Sequence, residues 1–153
     1  MFWGGHIYTG VMAEEIRETV RRHVLAEHRD TVADVCSVGR TVSASWSTET
    51  VPDPERVTTP LASQLTARGL DTALLDALAT AVAATDATAA GTPVPAPPYF
   101  VVTSRGPLCR ATLDDDRRLV VRLRLFTVER RPRAYRFRDP RPETCLKTVI
   151  RDS

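Results

Sequence analysis

The sequence predicts an α+β domain in which N-terminal helices pack on one face of a four- to five-stranded antiparallel meander sheet. Three observations carry that prediction. Apolar residues recur at helical spacing from Ala13 to Val32 and again from Leu61 to Val82. Beyond an Ala- and Pro-rich stretch, short runs rich in β-branched and aromatic residues are separated by tight turn signals. One of those runs, Leu119 to Phe126, alternates aliphatic residues with arginines at a period of two. Helices first and closely connected strands afterwards is the order of an α+β sandwich.

Taken in order, residues 1–11 carry aromatics and a Gly pair but no charged side chain. They read as an extension upstream of one domain over 12–153, with Met12 a natural start; the alternative is an aromatic arm that docks on that domain. Ala13 to Val32 is an amphipathic helix with Ile16, Val20 and Val24 four apart, Glu14, Glu15 and Glu18 early, and Arg21, Arg22 and Arg29 late, as the helix dipole favours. Val35 to Trp46 reads as a short β-like stretch broken at Gly39, and Thr48 to Thr59 as a loop punctuated by Pro52 and Pro54. Thr59-Pro60 offers a helix entry, with threonine as cap and proline in the first turn. Gly69 stops that helix, and Asp71 caps another carrying Leu74, Leu75, Leu78 and Val82 to about Ala84.

The helical layer thus spans 12–85, a semi-rigid linker 86–98, and a β layer 99–150. Its strands fall at Tyr99–Ser104, Leu108–Leu113, Leu119–Val128, Ala134–Arg138 and Cys145–Ile150, and their short connections imply antiparallel pairing. In the third of these, Leu119, Val121, Leu123 and Leu125 point to the helices. Arg118, Val120, Arg122, Arg124 and Phe126 point away.

Charge is sorted along the chain. Residues 1–104 hold seven basic and twelve acidic side chains, whereas residues 105–141 hold twelve arginines against five carboxylates. The basic stretch coincides with the strands, which predicts a sheet with an arginine-studded face. Residue usage is equally skewed, with one lysine, one glutamine and no asparagine, but plentiful Ala, Thr, Val and Pro. In this composition the chain resembles small uncharacterised proteins, domains of unknown function, from haloarchaea or other high-GC prokaryotes. A basic chain in a proteome of that kind implies an acidic partner, nucleic acid among them.

The candidate partner-binding face comprises Arg110, Arg122, Arg124, Phe126, Tyr135, Arg136 and Arg138. Guanidinium groups with rings between them suit phosphates and stacked bases, so RNA or single-stranded DNA is one reading. Protein contact or self-association through the same face is preferred, because no RNP-type aromatic signature or GxxG loop is present. A third reading places a small ligand between sheet and helices, beside Trp46 or Tyr99. A helix-turn-helix over Leu61 to Val82 is disfavoured, since its second helix offers Asp71 and Asp76 where DNA would need cations.

Catalysis is disfavoured as well: the chain lacks GxSxG, HExxH, GxGxxG and P-loop spacings. No cofactor or metal is expected. Cys36, Cys109 and Cys145 are far apart, and His23 and His28 stand about 140° apart on an ideal helix. An odd cysteine count, no signal peptide and no membrane-length apolar run lead to the expectation of a cytoplasmic protein with reduced thiols and no membrane contact.

Overall fold

The computed structural model describes the backbone of residues 2–151 and the side chains of residues 13–151. The side chains of residues 1–12, on which the expectation of an appended segment rests, lie outside the described residues. Among the described residues, four long helices and one short one accompany seven strands in two antiparallel sheets.

Helix α1 (Phe2–Glu27) buries Ile16, Val20 and Val24, the stripe the spacing predicts. It does not run on to Val32. The chain bends at His28 (φ −128°, ψ 25°), and α2 (Arg29–Ala44) starts one residue later. This second helix occupies the stretch expected to be β-like, which is a correction. Val38, Val42 and Trp46 stand four apart, a helical period, and all three are buried beside Val32, Val35 and Cys36. Packing of that stripe overrides the strand preference of its valines. Helix α3 (Glu55–Ala67) also starts earlier than expected, because Asp53 Oδ1 accepts the Glu55 N–H at 2.9 Å. Pro60 therefore sits inside the helix, which forgoes one backbone bond there. Gly69, at φ +69°, ends this segment and opens α4 (Leu70–Ala83), whose Leu70, Leu74, Leu75, Leu78 and Val82 are buried.

The strands are β1 (Thr50–Val51), β2 (Phe100–Thr103), β3 (Gly106–Thr112), β4 (Arg118–Leu123), β5 (Phe126–Arg130), β6 (Arg133–Phe137) and β7 (Leu146–Arg151). The α+β class and the antiparallel pairing are as the sequence predicts. The strands divide, however, between a four-stranded sheet ordered β2-β3-β4-β7 and a three-stranded sheet ordered β1-β6-β5. The division falls inside the run expected to be one strand, Leu119–Val128. The Leu125 and Phe126 N–H groups both donate to the Arg105 carbonyl, at 2.7 and 3.0 Å, while Arg124 N–H donates to Cys145 O at 2.9 Å. Two consecutive donors on one acceptor reset the pleat, as a bulge does. Leu125 and Phe126 are in consequence both buried, and the chain leaves to build the second sheet. It returns through α5 (Pro142–Cys145) and lays β7 beside β4.

On the inner side of the four-stranded sheet, Cys109, Ala111, Leu119, Val121, Leu123 and Leu146 are buried, with α1 against β7 and α4 against β3. The void left among Val24, Val32, Leu78, Val121 and their neighbours is about 10 Å³, no more than a single water needs. Residues 86–98 are pinned rather than loose at one point: Ala89 bridges to Leu113, and Ala90 N–H donates to Thr112 O at 2.8 Å. No described helix is long and apolar enough to cross a membrane.

Candidate anion-binding face

With helices on one side of the four-stranded sheet, alternation puts Arg118, Val120 and Arg122 of β4 on the other. Register extends that face to both neighbours. Arg118 lies between Thr112 of β3 and Arg151 of β7; Val120 lies between Arg110 and Val149; Arg122 lies between Leu108 and Lys147. These nine positions hold five cations, three aliphatic residues, one threonine and no carboxylate.

Arg118 directly faces Arg151, and Arg122 directly faces Lys147. Like charges opposed across a strand pair destabilise a sheet. Among the described residues, none of the five cations joins an ion pair. In the acidic loop before β4, Asp115 is taken up by Arg117, whose Nε donates to its Oδ2 at 2.6 Å. Among the described residues, then, no ion pair offsets that repulsion.

A depression of about 310 Å³ opens at the centre of the face, lined by Leu108, Arg110, Arg118, Val120, Arg122 and Arg151. Val120 forms part of it yet is only 3 % exposed, although no helix covers this side. Long arginine stems lying over an aliphatic residue account for that. The Nε atoms of Arg110 and Arg122 are buried and have no hydrogen-bond partner. A neighbouring depression of about 290 Å³ shares Leu108 and Arg122 and adds Arg105 and Arg124. The basic surface thus runs from the strand centres to the β2–β3 turn.

Comparison with protein families matches residues 18–151, from the middle of α1 to the end of β7, to a domain of unknown function, DUF7988. The chain belongs to the DUF7988 family. No curated protein and no solved structure matches it. The DUF7988 stretch holds both sheets and all five cations of the outer face.

The seven residues singled out by sequence do not form one surface. Arg110 and Arg122 lie on the outer face, and Arg124 is exposed at its margin. Phe126 is buried in the core, its ring centroid 5.7 Å from Trp46 and 5.5 Å from Phe137. Tyr135 is likewise buried, on β6 between Val51 and Val128. The rings expected between the arginines are thus on the wrong side of the pleat reset. Arg136 belongs to the second sheet and is paired with Glu129 at 3.0 Å and Glu49 at 3.1 Å, which hold its pKa above the usual value. Arg138 donates to the Arg124 carbonyl at 2.7 Å and braces the break between sheets. Sequence reasoning missed Lys147 and Arg151, whose place emerges only from the β4–β7 register. Arg118 was within reach, since the alternation already turns it outward.

The other candidate chemistry lies apart from this face. The buried thiols of Cys36 and Cys145 interact, which lowers the pKa of the first and raises that of the second. Cys109 is buried against the helices, and burial pushes its thiol up to about 12. The His23 and His28 rings are 5.5 Å apart. Among the described residues, no three His, Cys, Asp or Glu side chains converge to hold a metal ion.

Proposed function

We propose that this chain is a non-catalytic binding module and that its working surface is the outer face of the four-stranded sheet, which takes a polyanionic partner. The carrying observation is the two opposed cation pairs, Arg118–Arg151 and Arg122–Lys147, which no ion pair among the described residues offsets. A fold tolerates such repulsion where an anion relieves it. Leu108, Val120 and Val149 between the charges supply an apolar floor with a charged rim, the layout of a binding surface.

The other readings lose support unequally. A single-stranded nucleic acid would keep its phosphate contacts but not base stacking on Phe126 or Tyr135, both buried. The void among Val24, Val32, Leu78 and Val121, between sheet and helices, is about 10 Å³ and too small for a ligand. Self-association through the outer face would set cations against cations. A cytoplasmic setting agrees with three free, buried thiols. The arginine-for-lysine usage agrees with a high-GC prokaryotic source.

Fluorescence anisotropy of labelled polyglutamate against salt concentration tests the proposal. Binding should weaken steadily as salt rises and be lost in Arg118→Ser/Arg122→Ser. Equal binding by that variant would overturn it.

A further inference from the structure

We propose that the depression at the centre of the outer face is a site for a small molecule carrying two or more phosphate groups. This rests on the outer face being the working surface and names what that face recognises.

The cations of the depression come in twos. Arg118 and Arg151 face each other across β4 and β7, and Arg110 and Arg122 are diagonal neighbours across β3 and β4. A carboxylate brings one charge and two oxygens, enough for a single guanidinium fork, so the second member of each pair would stay uncompensated. A terminal phosphate brings a charge of roughly −1.5 to −2 and three strong acceptor oxygens, enough for two guanidinium groups at once. Two such pairs call for two phosphates.

Spacing and shape agree with this. Arg118 and Arg122 are four residues apart on β4, about 13 Å between their Cα atoms at ~3.3 Å per residue. Arginine side chains are long enough to close most of that span over Val120. The volume, about 310 Å³, lies at the lower end of the range for small-molecule sites, roughly 300–1,000 Å³. The buried, partnerless Nε atoms of Arg110 and Arg122 are donors that a bound anion would satisfy. A nucleic-acid strand fits less well, because its diesters carry one charge each and none of the nine outward positions is aromatic.

Isothermal titration of the full chain with inorganic tripolyphosphate tests the site, with citrate as a carboxylate of comparable charge and polyglutamate and a single-stranded RNA 12-mer as polymeric anions. Tripolyphosphate should bind one to one and at least tenfold more tightly than citrate. Arg118→Ser and Arg122→Ser should each weaken it at least tenfold, and Arg136→Ser, on the other sheet, should leave it unchanged. If Arg122→Ser fails to fold, Arg122→Lys keeps the stem and the charge, and loss of the fork should still weaken binding. Citrate binding as well as tripolyphosphate, or an equal loss in Arg136→Ser, overturns the phosphate site. Salt-dependent binding of polyglutamate or RNA without tripolyphosphate binding also overturns it but leaves the outer face as the working surface. Failure of all four ligands overturns both.

Discussion

Reversing one charge at Arg118 should make the fold more stable while destroying its anion binding. Arg118 and Arg151 are directly opposed on β4 and β7, and both are exposed. Two unit charges ~6 Å apart in water interact by about 0.7 kcal/mol, and the freedom of arginine side chains to splay lowers that to about 0.5 kcal/mol. Arg118→Glu removes the repulsion and installs an attraction of similar size, a change of about 1 kcal/mol in favour of the folded state. For a chain of this length that corresponds to about 3 °C in melting temperature. Because both groups face solvent, the gain is screened. It should be largest near 20 mM salt and nearly gone at 1 M, where the Debye length is ~3 Å. Urea unfolding at both salt concentrations reads the difference, and tripolyphosphate titration reads the lost binding. Destabilisation by Arg118→Glu, or a gain that salt does not reduce, would refute the claim that the opposed cations strain the sheet.

Further outcomes follow from the fold. Phe126→Ala should cost about 3–5 kcal/mol in denaturant unfolding, because the ring is buried between Trp46 and Phe137. The folded variant should bind polyanions as the parent does; selective loss of binding would return Phe126 to the surface. Gly106→Ala should destabilise by about 3 kcal/mol or more, since the backbone there sits at φ +143° and an added Cβ would lie 1.8 Å from the Leu123 carbonyl oxygen. Unchanged stability would contradict the close approach of β3 to the end of β4. Cys109 should add a pH dependence on the alkaline side. The unfolded thiol ionises near 9 and the folded one is pushed up to about 12, so the stability it contributes is complete below pH 9 and falls as pH rises towards 12. Compared with Cys109→Ala, the parent should lose stability more steeply over that range; parallel curves would contradict the burial of this thiol.

The parts of the fold legible in the sequence are those set by local periodicity. Ile16, Val20 and Val24 mark their helix unambiguously, and Leu119, Val121, Leu123 and Leu125 mark the inner side of a strand; all seven are buried. What escaped depends on tertiary contact. The valines of α2 favour strand by propensity, and burial against α3, α4 and the second sheet, where Gly39 would meet Phe137 at 2.8 Å if it carried a Cβ, explains why the stretch is helical. The reset at Leu125 and Phe126 is imposed by the Arg105 carbonyl, twenty residues upstream, and nothing in the local pattern announces it. With it Phe126 turns into the core, and the arginines fall on two sheets. Register supplied the remainder of the site: Lys147 and Arg151 belong with Arg118 and Arg122 because β7 returns to pair with β4, a long-range closure no window of sequence contains.

Amide chemical-shift mapping of the isotope-labelled chain during titration with tripolyphosphate tests most directly where an anion settles. Shifts should concentrate on 108–110, 118–122 and 147–151, with β5 and β6 unmoved. Shifts centred on Arg136 and its neighbours in the three-stranded sheet, or spread evenly over all arginines, would contradict an outer-face site.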